Sequence, residues 1–396
     1  MSEVVETTDC TNGTTTTYDV VVEDARIVTP NEVVRGSVAV DDGRIVAVET
    51  GEFDADGDTH IDADGRVLMP GLIDLHGDDI EQHLYPRSNA AVDPPMALAS
   101  ADRANISSGI TTKFHAIAFE DNPEKDRSPE LAMDLVESIR SNDSLLADHR
   151  IHARCEITDA PCIDAVEEVL VNDAASLVSV MSHVPGKGQF RNIEKFREYY
   201  ENDANLSVEE ADELIEERIS LTEAELSTRI DRIVTAARDS GVVVASHDDE
   251  TPVEVERLDD RGIDISEYPI TLDAAQRARD LGMFTAMGAP NLVRGGSQWG
   301  NLATEEAIEE DVADALLADY HPPSLLAAPF VDTGETLSTR VARVTKNPAD
   351  AVGLTDRGRV KEGARADLIL VDPEPTPVVE HALVDGEPVY KAEAPR

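Results

Sequence analysis

Between about Val67 and Asn347, eight short apolar runs are each followed by a longer polar segment with helical spacing. The runs are 71–76, 110–116, 151–156, 176–183, 242–247, 263–268, 283–288 and 315–319. No other feature constrains the fold as much. Eight β-then-α units over roughly 280 residues are what a (β/α)8 TIM barrel, an α/β fold, requires. On either side the style changes to β-rich runs separated by Asp/Gly turns. These are 19–28, 36–41, 44–48 and 59–62 before the barrel, and 366–371, 381–384 and 387–390 after it. Asp41-Asp42-Gly43 and Asp385-Gly386 are hairpin signals. The two ends are therefore expected to build one small β-sandwich domain that the chain leaves and re-enters. The expected division is a disordered acidic tail over 1–17, a β-domain from 18–66 plus 360–396, and a barrel over 67–359. The acidic stretch 201–229, with Leu206, Leu214, Ile219, Leu221 and Leu226 at helical spacing, reads as inserted helices and a candidate lid.

Barrel enzymes place reactive groups where strands end at the C-terminal face. Here several strands end in metal-ligand residue types. The first ends in His76-Gly77-Asp78, the third in Glu156, the fourth in His183, the fifth in His247 and the eighth in Asp319. Strand parity provides a check, because side chains of one face recur every second residue. His152, Arg154 and Glu156 share a face, which sends Cys155 outward. Met181 shares one with His183, and Ala245 with His247. Any one of these residues alone is equally well explained as a satisfied polar core or loop residue. Ligand types at five strand ends together point to a metal centre. Imidazoles with carboxylates suit a borderline divalent ion such as zinc or manganese, with one or two ions bound. His115, one residue off the end of the second strand, reads as a supporting group.

Two segments offer substrate contacts. Gly288–Ser297 follows the seventh strand and contains Asn291, Arg294 and Ser297. Its glycines would let backbone N–H groups approach an anion, and Arg294 provides a fork for phosphate. An ordinary Gly-rich βα turn would look the same. Just after His183, Lys187 and Arg191 form a local cationic pair, against the alternative of a solvated loop.

Composition limits the partners. The chain has 34 basic and 81 acidic residues, a formal charge of −47, and the acids are spread along its length. Such a surface repels nucleic acid and anionic membranes, whose phosphates need clustered Lys and Arg. Its self-repulsion is screened only in concentrated salt, where the Debye length falls to about 3 Å. The composition therefore reads as adaptation to high cytoplasmic salt, as in halophilic microbes. No window approaches the roughly 20 apolar residues of a membrane span. The N-terminus has no signal-peptide pattern, so a cytoplasmic location is expected. The three cysteines are too scattered for a disulfide framework. Assembly into a homo-oligomer is compatible with the sequence.

At this level of detail the chain resembles the amidohydrolase superfamily. The resemblance is carried by Pro70-Gly71-Leu72-Ile73-Asp74-Leu75-His76 leading into the barrel and by Lys346-Asn347-Pro348-Ala349 leaving it. Gly363-Ala364-Arg365-Ala366-Asp367-Leu368 continues it. Within the superfamily the chain is similar to the diphosphatase family acting on α-D-ribose 1-methylphosphonate 5-triphosphate in the carbon–phosphorus lyase pathway. The Ser246-His247-Asp248-Asp249 and Gly288–Ser297 segments are its most specific marks. The resemblance implies hydrolysis of a 5-triphosphate to a 5-phosphate and pyrophosphate, within phosphonate metabolism. It makes His76, Asp78, Glu156, His183, His247 and Asp319 the metal-site candidates, with Asp319 also orienting the attacking water or accepting its proton. The chain departs from the superfamily habit in having Asp78 in place of the second His of a His-x-His pair. It has no strand-end lysine to bridge two ions, and the sixth strand offers Glu267 rather than a histidine. The alternative reading is a cyclic-amide hydrolase or deaminase of the same superfamily.

Overall fold

In the computed structural model the described residues are 17–51, 53, 55–87, 90–122, 127–184, 208–297 and 300–392. The N-terminal strands are β1 (Thr17–Val28), β2 (Val33–Asp41), β3 (Arg44–Thr50), β4 (Asp56–Asp62) and β5 (Val67–Pro70). The barrel strands are β6 (Leu72–Gly77), β7 (Ile110–Ala118), β8 (Asp148–Glu156) and β9 (Leu177–Met181). They continue as β10 (Val243–His247), β11 (Ile265–Glu267), β12 (Phe284–Gly288) and β13 (Ala315–Leu317). The C-terminal strands are β14 (Leu368–Asp372), β15 (Val378–Val384) and β16 (Glu387–Lys391).

Strands β6 to β13 form one parallel sheet in sequence order. The sheet curls until its two edges meet. Gly77 bridges Asp319, the Asp319 N–H donates to His76 O at 2.9 Å, and the Asp78 N–H donates to Asp319 O at 3.2 Å. This is the expected TIM-type barrel. Its interior is filled from alternate positions by Ile73, Leu75, Phe114, Leu177, Ala245, Ile265, Ala286, Ala315 and Leu317, all buried. The opposite parity, including Ile151, Ala153, Cys155, Val178 and Val180, packs outward on the helices. Phe114 has no exposed surface. Phe114→Ala should therefore cost about 3–5 kcal/mol, read as a lower denaturant midpoint in molar salt.

Both chain ends contribute to the second sheet, in the order β16-β15-β14-β5-β1-β2-β3 with β4 on β1, so that Val67–Pro70 belongs to it as well. Its hairpin turns are the ones the sequence marks. Asp42 and Gly43, and again Asp385 and Gly386, all have positive φ, as a two-residue turn of primed type needs. In the acidic insertion the structure shows helices Val208–Ser220 and Glu223–Asp239. The second is started by a capping box between Thr222 and Glu225. No helix among the described residues is long and apolar enough to cross a membrane.

Candidate metal and substrate site

The C-terminal face of the barrel opens into a cavity of about 320 Å³. His76, Asp78, Arg154, His247, Asp248, Tyr268, Asn291, Arg294, Ser297 and Asp319 are among its lining residues. Behind His76 and His247 in its wall lies a fully buried carboxylate amid imidazoles. Glu267 Oε2 lies 3.0 Å from His76 Nδ1, 3.7 Å from His247 Nδ1 and 3.9 Å from His152 Nε2. Only the first is a hydrogen bond. His76, His247 and Glu267 can each turn one donor atom toward a common point, their donor atoms lying within 4.8 Å of one another.

Burial holds these imidazoles neutral, the form that ligates metals. It pushes His76 well below its ordinary range, with help from Arg154 and Lys113. It takes His152 down to about 3 and His247 to about 4, despite the nearby Glu267 carboxylate. His152 Nε2, His247 Nδ1 and Glu267 Oε1 are buried without a hydrogen-bond partner among the described residues. A buried unpaired polar atom is costly. The donor chemistry and these orphaned atoms fit a borderline divalent ion.

Local backbone turns aim the site residues. Asp74 Oδ1 accepts the His76 N–H at 3.2 Å and the Ala318 N–H at 2.9 Å, and the β6–β7 register breaks between Asp74 and Gly77. That break lets His76 swing into the cavity directly after inward Leu75. Asp248, Tyr268 and Asp319, each just past a strand end, have φ of 61°, 52° and 55°. A left-handed conformation is a true outlier for a residue as bulky as tyrosine. Aspartate tolerates that conformation, as six other Asp residues of the chain show, so Tyr268 is the strained residue, and strain of this kind is found at functional sites.

Of the six metal candidates from sequence, the structure brings His76 and His247 into the tight cluster. Asp78 and Asp319 line the cavity beside it. Burial, reinforced by Asp78, pushes Asp319 up to about 7, and burial pushes Asp248 up to about 6. Glu156 and His183 form a separate pair. Glu156 Oε2 lies 2.5 Å from His183 Nδ1, while Oε1 accepts from Thr158 Oγ1 at 2.5 Å and from the His183 N–H at 3.3 Å. Glu267 and His152 are not among the metal candidates from sequence, although the sixth strand offers Glu267 and parity turns His152 inward. His115 is tied into a chain outside the barrel interior, 2.7 Å from His149, which in turn contacts Asp102 at 2.8 Å.

The expected substrate residues Asn291, Arg294 and Ser297 all line the cavity. The glycine reading needs correction, however. Residues Ala289–Arg294 form a short helix, and the Gly295 and Gly296 N–H groups donate to Asn291 O at 3.1 and 2.9 Å. Those glycines cap a helix C-terminus instead of cradling an anion. Arg294 is held at the rim by Tyr320 Oη at 3.2 Å and Gly296 O at 3.1 Å. Lys187 and Arg191 lie outside the described residues.

A barrel with a flanking sheet from both chain ends and a His/carboxylate centre is the architecture of amidohydrolases. A solved amidohydrolase covers 94% of this chain and 99% of its own at 17% identity, with a TM-score of 0.61. The α-D-ribose 1-methylphosphonate 5-triphosphate diphosphatase of Escherichia coli K12 is 35% identical over 379 residues, 93% of this chain and 100% of its own. The chain belongs to the family of that diphosphatase, within the amidohydrolase superfamily. An adenine deaminase of Nitratidesulfovibrio vulgaris is 28% identical over 89% of this chain and 54% of its own length. No family model matches the chain.

Proposed function

We propose that this hydrolase cleaves α-D-ribose 1-methylphosphonate 5-triphosphate to the 5-phosphate and pyrophosphate, in phosphonate catabolism. One observation carries the reading beyond the family resemblance. His76 and His247, which cluster with the buried Glu267, line the same cavity as Arg294, so a metal centre and a phosphate-binding cation face the same ligand. His76, His247 and Glu267 would hold a divalent ion, zinc or manganese. Bound there, it supplies Lewis acidity toward phosphoryl oxygens and makes water a better nucleophile. Asp319 accepts the proton of the attacking water, and its raised pKa places it near the operating pH of a general base. Arg294 holds the outer phosphates by a bidentate fork. The anhydride between the first and second phosphorus atoms breaks, water supplies the new oxygen, and pyrophosphate leaves. In a chain of charge −47, contact-range cations are what let a polyanion bind, and high salt screens the repulsive field more than it weakens them.

The test is pyrophosphate release from this substrate in molar salt with added Zn²⁺ or Mn²⁺. Release by the wild type and its loss in Asp319→Asn are expected. The likeness to the adenine deaminase favours a second reading, so aminopurines and cyclic amides are assayed alongside. Turnover of those without pyrophosphate release would replace the diphosphatase by that reading.

A further inference from the structure

A guanidinium has five N–H donors and stays charged in a protein, so a buried one must find acceptors. Arg127 and Arg343 show how this chain satisfies them. Arg127 donates to Glu81 at 2.8 Å twice and to Glu120 at 2.6 Å. Arg343 donates to Glu335 at 2.5 and 2.9 Å and to Ala313 O at 2.8 Å. Arg154 is different. It is 8% exposed, yet Nη1 reaches Asp78 Oδ2 only at 3.4 Å and Nη2 reaches Met181 Sδ at 3.9 Å. Its Nε is buried with no hydrogen-bond partner among the described residues. Charge-assisted N–H···O bonds normally close to about 2.7–2.9 Å. Among the described residues, most of the donor capacity of Arg154 is therefore unspent.

That capacity faces the cavity, which Arg154 lines together with His76 and His247. Asp78, Asp248 and Asp319 line it too, so an anion entering meets three carboxylates and needs cations at contact range. Strand β8 fixes the direction of Arg154, between inward His152 and Glu156. Arg294 offers a second fork from the far side of the barrel, on the helix after β12. Two forks along one cavity suit a ligand with more than one anionic group, and a neutral cyclic amide would use neither.

The geometry points to Arg154 as an anion-binding residue whose guanidinium takes the non-bridging oxygens of the diphosphate portion of a polyphosphorylated substrate. This deepens the proposed function and rests on it for the phosphate class. The unsatisfied fork stands without it.

Pyrophosphate is the probe. Its affinity is measured calorimetrically in molar salt with metal-loaded wild type, Arg154→Gln and Arg154→Lys, each checked for metal content and for an intact thermal transition. Removing a charged hydrogen-bonding partner should weaken binding roughly tenfold to a hundredfold in Arg154→Gln. Arg154→Lys keeps the charge and loses the fork, so it should fall in between. Should Arg154→Gln not fold, Arg154→Lys alone decides, with a several-fold loss expected. Wild-type affinity in the folded variants, or no pyrophosphate binding by the wild type, would overturn the assignment. Arg154-dependent binding without triphosphate hydrolysis would remove the diphosphatase reading and keep this one.

Discussion

Glu267→Gln should lose most of its bound metal and at least about a hundredfold in hydrolytic rate while retaining its fold. The carboxylate sits within 3.0–3.9 Å of three imidazole nitrogens, and the substitution removes its charge at nearly constant volume. Outer partners of metal ligands already cost about 10–100-fold in affinity or activity when replaced, so loss of a direct ligand should exceed that range. The three imidazoles are kept neutral by burial and cannot replace the missing negative charge. Metal content by mass spectrometry and pyrophosphate release separate the two effects. A Glu267→Gln variant that keeps full metal and full rate would move the centre elsewhere. The Glu156–His183 pair would then be the next set to test. Glu156→Gln, by contrast, is expected to loosen His183 and to leave most of the metal in place.

Much of this architecture is legible in the sequence, because it is written locally. Apolar runs such as Val243–His247 and Phe284–Gly288 stand between polar helical segments, and Asp-Gly turns announce the hairpins of the terminal sheet. His76 and His247 are visible for the same reason, since each ends a recognisable strand. Glu267 is harder to read. Its strand spans only Ile265–Glu267, and a glutamate beside a tyrosine looks like a solvated strand end. Its meaning comes from neighbours on β6, β8 and β10, which only barrel closure assembles. Arg154 was placed on the inward face by parity, but its unsatisfied donors are a property of the packed cavity. The Gly295-Gly296 pair misleads in the other direction. Glycines that could approach an anion and glycines that end a helix have the same sequence signature, and the carbonyl of Asn291 decides between them.

Lys113 is the clearest case of tertiary information, and Lys113→Met should cost about 3–5 kcal/mol of stability. The residue lies within β7 and has no exposed surface. Its Nζ is 2.8 Å from Asp74 Oδ2 and 2.5 Å from Asp79 Oδ1. Burial works against its charge, yet the two carboxylates outweigh it and hold the ammonium above its ordinary pKa. Asp74 in turn accepts from the backbone of His76 and Ala318, and Asp79 accepts from Asn105 Nδ2 at 3.1 Å. One buried cation thus pins both sides of the His76-Gly77-Asp78 turn and the seam where β13 meets β6. A Cβ on Gly77 would lie 1.8 Å from Lys113 Nζ and 2.4 Å from Asp74 Oδ2, so the turn needs glycine there. Methionine fills the volume of the lysine stem but leaves two buried carboxylates without their counter-charge. If that is the origin of the loss, adding Asp74→Asn and Asp79→Asn to Lys113→Met should recover part of it, because neutral amides need no cation. Equilibrium denaturation in molar salt measures both variants. A loss below about 1 kcal/mol in Lys113→Met, or no recovery in the triple variant, would show that the buried cation does not hold the turn.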